Sequence, residues 1–181
     1  MIGEEGMDIS FHRKFKMKRY LLLAIPLFAC TLSCAKAQNE KKDPPKLVIS
    51  KEAQLIIDLT NKARVAAKLG ALKPNALLFK CAEDHSANMA KQMKNAHELD
   101  GKNPADRVDA TGYYYKTCGE NLADHNVLDI KLIFDVWMKS PIHRKEILRA
   151  EYEEIGIGIV KNPKTGQIYF TQVFGTELKK E

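Results

Sequence analysis

The spacing of apolar residues changes once along this chain, and this change restricts the possible folds more than any other feature. Between Ser50 and about Arg149, apolar residues recur every three or four positions, which is the period of amphipathic helices. From Ile155 the period becomes two, and after a turn at residues 162–166 the alternation returns, as in an antiparallel hairpin. Helices followed by a hairpin predict an α+β domain, with helices packed on a small antiparallel β-sheet.

Four helices and one more strand are predicted before the hairpin. The first helix covers residues 50–70 and the second runs from about residue 75 to 95. Asn126 and Asp129 are expected to open the third helix, and a short fourth helix follows with Ser140 as its N-cap. Residues 117–123 are predicted as a strand. The core-facing positions expected in the first and third helices are Leu55, Ile56, Leu59, Ala63, Ala66, Val127, Ile130, Ile133, Phe134 and Trp137.

Residues 1–37 have the layout of a signal region. Five basic residues precede an apolar run at residues 20–32, which is shorter than a membrane-spanning helix. Because Met17 begins a compact version of this signal, we expect translation to start there and residues 1–16 to be an upstream extension. The mature protein is therefore expected outside the cytoplasm, secreted or anchored to the bacterial envelope.

Three cleavage sites compete in this region. Lipoprotein-like sites precede Cys30 and Cys34, and an ordinary secretion site follows Ala37. We favour lipidation of Cys34, with Cys30 as the alternative, because cleavage at Cys34 leaves an even number of unmodified cysteines. Residues 38–49 then form a polar tether, and residues 50–181 form the domain.

The remaining cysteines, Cys81 and Cys118, allow two interpretations. In an oxidising compartment they are predicted to form a disulfide. The alternative is two separate buried thiols, since the sequence does not give the distance between them.

The positive charge of the chain does not indicate a nucleic-acid partner. Residues 1–37 carry six of the 29 basic and three of the 23 acidic residues, so 23 basic and 20 acidic residues remain in the rest of the chain. These charges form no basic block interleaved with aromatic residues. We therefore expect no binding to nucleic acid.

The HExxH, P-loop, GxSxG and CxxC motifs are all absent from the sequence. Any catalytic or binding function must therefore come from residues that are scattered along the chain. His85 shares the apolar face of its helix and is interpreted as a core histidine with one hydrogen bond. His97 follows the second helix in a loop, where a side chain can turn toward a cleft. Glu120, if buried, requires hydrogen-bond donors or a cation, either a protonated histidine or a metal. His143 lies in the first turn of its helix, which favours the neutral ring.

Several short motifs follow one another along the chain. They are Asn61-x-x-Arg64, Ala82-x-x-His85-Ser86-x-x-Met89, His97, Gly119-Glu120-Asn121-Leu122, Trp137-Met138-x-Ser140-x-x-His143-Arg144, Ile155-Gly156-Ile157-Gly158 and Tyr169-Phe170-Thr171-Gln172-Val173-Phe174-Gly175. In their order and spacing they resemble the CAP superfamily, also called SCP, and most closely its secreted bacterial branch. The resemblance covers about residues 50–175.

The resemblance implies an α-β-α sandwich with a central cavity, in which family members present two histidines and two acids. His97 and Glu120 match one residue of each kind, and Asn121 belongs to the same motif. Ser140 and Tyr169 stand where eukaryotic members have the second acid and the second histidine. His143 is expected to point into the same cavity as a substitute, so His97 and His143 are the candidate zinc ligands.

Three functions are compatible with these residues. The first is an extracytoplasmic binding module whose cavity or groove holds a lipid, a peptide or a cell-wall fragment, with a lipid anchor as the link to the membrane. The second is a metal-assisted hydrolase in which His97, Glu120 and His143 hold Zn²⁺. Ser140 is discounted as a nucleophile because it is expected to cap a helix. The third is a structural envelope protein whose polar residues tie the loops together.

Overall fold

A computed structural model describes residues 47–178 of the chain, which belong to one compact unit. The signal region, Cys30, Cys34 and the tether up to residue 46 lie outside the described residues. The end of the proposed tether is not a free linker, because Leu47 and Ile49 pack against the main hydrophobic core. Within residues 47–178, no helix is both long and apolar enough to cross a membrane.

Five helices and four strands make up the described part of the chain. In chain order they are α1 (Lys51–Ala66), β1 (Lys73–Pro74), α2 (Ala76–Gln92), α3 (Pro104–Ala110), β2 (Tyr115–His125), α4 (Ile130–Lys139), α5 (Pro141–Ile147), β3 (Glu154–Lys161) and β4 (Ile168–Glu177).

Short polar side chains fix the beginnings of most of these helices. The Ser50 hydroxyl accepts a hydrogen bond from the Ala53 amide at 3.1 Å, as expected for an N-cap. Helix α3 begins with a capping box between Asn103 and Asp106. The apolar spacing did not predict α3, because seven residues are too few to show a helical period.

The predicted inward faces of two helices need correction. Leu55 and Ala66 are exposed, and the buried face of α1 instead contains Thr60 and Arg64 beside its apolar residues. The Arg64 guanidinium donates hydrogen bonds to four backbone carbonyls, which satisfies its buried charge. Val127 is also exposed, because α4 begins only at Ile130.

The four strands form one mixed sheet in the order β1-β3-β4-β2. The predicted hairpin is confirmed, since β3 and β4 pair antiparallel with Ile157 opposite Gln172. Strand β2 pairs antiparallel with the other edge of β4, with Glu120 opposite Val173. The sheet is not purely antiparallel, because the two-residue strand β1 runs parallel to β3.

The two faces of the sheet are covered by different helices. Phe170 and Phe174 of β4 face the main core with α1 and α4, whereas Tyr169 and Val173 face α2. Helix α2 lies so close to β3 that a Cβ atom on Gly158 would overlap the backbone of Ala82. This arrangement is the expected α-β-α sandwich.

Cys81 and Cys118 are free thiols in the structure, so it does not contain the disulfide considered from the sequence. Both pack against the cluster that includes Leu78 and Val173. Burial raises the pKa of the Cys81 thiol to about 12, which keeps it protonated at neutral pH.

Candidate functional site

Glu120 is the buried centre of the candidate site. It lies on β2, and its side chain is only 1% exposed. Arg107 of α3 donates from Nη2 to both carboxylate oxygens, at 2.9 Å to Oε1 and 2.7 Å to Oε2. The guanidinium therefore compensates the negative charge, which would otherwise be costly to bury.

His97 is held by the same carboxylate. Its Nδ1 lies 2.8 Å from Oε1 of Glu120, while the side chain as a whole is 52% exposed. Because an ionised carboxylate can only accept, Nδ1 carries the proton in this hydrogen bond and Nε2 is left unprotonated in the neutral ring. His97 lies in a loop after α2, as expected from the sequence, and its ring contacts Glu120.

Arg107 is the functional residue that sequence reasoning missed. Besides Glu120, its Nη1 donates to the backbone oxygens of His97 at 2.8 Å and Lys102 at 2.9 Å. A single side chain thus neutralises the buried acid and fixes the loop that carries His97. The signal was available, since the buried acid was expected to require a cation, but only histidine and metal were considered.

His85 approaches the site from α2. It is buried, its Nε2 lies 3.1 Å from the Ala96 carbonyl oxygen, and the same nitrogen is 3.9 Å from Oε1 of Glu120. Burial lowers the pKa of His85, and the charge of Glu120 only partly opposes this effect. The interpretation of His85 as a core histidine with one hydrogen bond is confirmed.

His143 lies in the first turn of α5, where it is half-buried. Burial lowers the pKa of His143, and the charge of His97 lowers it further. Its Nδ1 is buried and has no hydrogen-bond partner among residues 47–178. The neutral ring expected from its place in the first turn of α5 is thus favoured by burial.

Asn121 positions His143 through the backbone. Its Nδ2 donates to the backbone oxygen of His143 at 3.0 Å and to Oε1 of Gln172 at 3.1 Å. Gln172 in turn donates to Oγ1 of Thr60 at 2.9 Å. These buried hydrogen bonds connect α5, β2, β4 and α1, so Asn121 acts as a structural tie.

Ser140 and Tyr169 are not part of this hydrogen-bonded group. Ser140 occupies the N-cap position of α5, but its hydroxyl makes no capping hydrogen bond, contrary to expectation. Tyr169 is buried in an apolar cluster with Met89 and Leu99. Burial raises the pKa of its phenol, and the nearby charge of Asp124 acts in the same direction.

The residues of the site do not fit a zinc ion. Both Glu120 oxygens already accept hydrogen bonds from Arg107, and Oε1 also accepts from His97. Tyr169 occupies the position of the family's second histidine. Within residues 47–178, no group of three or more His, Cys, Asp or Glu side chains is arranged to hold a metal ion. His97 and His143 therefore lack a third ligand for a structural or catalytic zinc site.

A cavity of about 290 Å³ lies beside the buried centre. Its lining includes His85, Arg107, Leu99 and Thr111, so it lies against α2 and α3. Neither His97 nor His143 lines it. The half-exposed side chain of His97 instead faces the protein surface.

Comparison with solved structures supports the fold. An outer surface protein of Borrelia burgdorferi superimposes with a TM-score of 0.67 at 18% identity, covering 73% of this chain and 97% of that protein. An extracellular SCP-domain protein of Bacillus anthracis gives a TM-score of 0.62 at 26% identity, covering 68% of this chain and 40% of that protein.

Comparison of the sequence identifies the family. The chain is 30% identical to YkwD of Bacillus subtilis over 146 residues, which is 78% of this chain. It spans about half of YkwD, since the match covers 53% of that protein. The model of the cysteine-rich secretory protein family, CAP, matches residues 57–174. These residues include every contact of the Glu120 centre, and the chain belongs to the CAP family.

Proposed function

We propose that this CAP domain is an extracytoplasmic binding module whose ligand contacts the exposed face of His97. The ligand classes that fit this proposal are a lipid, a peptide or a cell-envelope fragment with a polar group for Nε2 of His97. The relatives with similar folds include an outer surface protein and an extracellular protein, which supports a position outside the cytoplasm. The signal layout of residues 1–37 supports the same location.

The observation that carries the proposal is that both oxygens of the buried Glu120 carboxylate already accept hydrogen bonds. A general base needs a free acceptor within reach of the proton that it removes. Here Arg107 and His97 occupy both carboxylate oxygens, and the side chain is almost fully buried. The acid therefore serves to orient His97, and the imidazole is the group left to contact a ligand.

Binding can be tested by thermal unfolding with three probes: palmitate, a muropeptide and a short alanine peptide. A ligand that binds only the folded state raises the apparent melting temperature. We expect one probe to stabilise the wild type and His125→Ala, but not His97→Ala. His125 is a matched control, because its ring contacts only the neighbouring Val127 backbone. The same shift in both variants would contradict a role for His97.

A zinc titration separates binding from metal-assisted hydrolysis. Wild type, His97→Ala, His143→Ala and His125→Ala are compared at neutral pH. We expect no stoichiometric zinc binding that depends on His97 and His143. Stoichiometric binding that is lost in both of these variants and kept in His125→Ala would favour the metalloenzyme instead.

A hydrolase without a metal is the second candidate function. The pairing of His97 Nδ1 with Glu120 resembles the way an acid orients a histidine base, and the Ser140 hydroxyl is not used as a cap. Hydrolysis of a muropeptide or peptide that is lost in His97→Ala and in Ser140→Ala would establish it. Activity that survives both changes would show that neither His97 nor Ser140 is required for it.

A further inference from the structure

A second surface, separate from the Glu120 centre, runs along α5. It is a groove of about 730 Å³ between the end of α4 and the segment after α5. Its basic lining residues are Lys139, Arg144, Lys145 and Arg149, and Glu151 is the acidic one. The apolar side chains of Met138 and Leu148 also line it, so the groove has both charged and apolar parts.

Three of the four cations are uncompensated. Arg149 is paired, because its Nε lies 3.7 Å from Oε2 of Glu151. Across residues 47–178, the side chains of Lys139, Arg144 and Lys145 make no ion pair and no hydrogen bond within the chain. A groove with three unpaired cations has a positive potential that attracts anions.

Exposed aliphatic side chains continue this surface outside the groove. Ile142 of α5 is 77% exposed and follows Pro141, which lines the groove. Leu132 and Val136 lie one turn apart on α4 and are also exposed, and Val136 is one turn before Lys139. Aliphatic side chains beside lysine and arginine are typical of surfaces that lie on a membrane.

We propose that this surface, formed by the groove and by Leu132, Val136 and Ile142, docks on an anionic phospholipid bilayer. The cations would contact the headgroup phosphates, and Ile142 would enter the boundary between headgroups and acyl chains. A soluble anion could use the same cations, but it would gain nothing from the exposed aliphatic side chains. The proposal does not depend on the function of His97, since the two sites share no side chain.

The test uses residues 42–181, which contain all of the described residues and exclude the expected lipid anchor. Flotation is measured with vesicles of phosphatidylcholine alone and of phosphatidylcholine mixed with phosphatidylglycerol. Each cation near an anionic membrane contributes a factor of about five in affinity. We therefore expect Arg144→Gln/Lys145→Gln to weaken binding to the mixed vesicles by about 25-fold. The control Lys62→Gln/Lys91→Gln removes the same charge from exposed positions elsewhere and should have little effect.

The apolar part is tested with Ile142→Ser, which should weaken vesicle binding, against Val65→Ser as an exposed control on α1. Circular dichroism of every variant confirms that it is folded. Three results would overturn the proposal: no binding to the mixed vesicles, equal losses in the two double variants, or displacement by inorganic polyphosphate with no effect of Ile142→Ser. The last result would assign the groove to a soluble anion.

Discussion

Replacing Arg107 with methionine keeps the aliphatic stem of the side chain and removes the charge that compensates Glu120. The pair is buried, with the Arg107 side chain 11% and the Glu120 side chain 1% exposed. Removal of one partner from such a pair costs about 3–5 kcal/mol, because the other charge remains buried without compensation. For a domain of this size, that loss corresponds to a fall in melting temperature of roughly 10–20 °C.

The free energy of unfolding is measured by urea denaturation, followed by circular dichroism, for the wild type and Arg107→Met. Arg144→Met is the matched control, since it removes an exposed arginine without an ion pair and should change stability by less than about 0.5 kcal/mol. The double variant Arg107→Met/Glu120→Met replaces both charges with apolar groups, so it should recover most of the loss. A cost below about 1 kcal/mol for Arg107→Met, or a double variant that is less stable than either single variant, would refute this reasoning.

Three further predictions concern other parts of the domain. Gly158→Ala should destabilise the protein by at least about 1–3 kcal/mol in thermal unfolding, because the added methyl group overlaps the backbone of Ala82. The control Gly70→Ala meets no atom within 4 Å and should be nearly neutral. Similar losses of stability in both variants would contradict the close packing of α2 on β3. Arg64→Lys should be destabilised almost as much as Arg64→Met in urea denaturation, because one ammonium group cannot reach four carbonyls. A lysine variant as stable as the wild type would show that these four hydrogen bonds of Arg64 are not needed for stability. Burial lowers the pKa of His85, so the unfolded state binds a proton there first as the pH falls below about 6.5, and the free energy of unfolding should decrease in that range. Urea titrations at about pH 7.5 and 5.5 should show a smaller decrease for His85→Asn than for the wild type. An equal decrease in both proteins would show that other groups cause it.

The fold could be predicted where the pattern was long and local. The alternation from Ile155 predicted the β3–β4 hairpin, and the structure contains it. The short elements α3 and β1 could not be found in this way, because neither is long enough to show a period. The exposed position of Val127 depends on where α4 begins, which is set by the Asp129 cap rather than by hydrophobicity.

Half of the candidate site followed from chemistry rather than from pattern. The sequence indicated that Glu120, if buried, needs hydrogen-bond donors or a cation, and that His97 could turn toward a cleft. The structure shows that these two side chains are in contact. The identity of the cation could not be predicted, because Arg107 reaches Glu120 from a helix that had no periodic signal. The place of Tyr169 also depends on packing between α2 and the sheet, which one sequence does not specify.

The strand order β1-β3-β4-β2 has a consequence for vectorial synthesis and export. Strand β4 is the last element along the described chain, yet it lies between β3 and β2 and forms all of the antiparallel pairing. Neither β2 nor β3 has an antiparallel partner until residues 168–177 have emerged, so a growing chain cannot close its sheet. A chain with this topology cannot complete its sheet until its last strand is available, a property that is compatible with export before folding. A released chain that is truncated after Gln167 should accordingly be digested rapidly by protease, whereas the chain through Glu181 should resist.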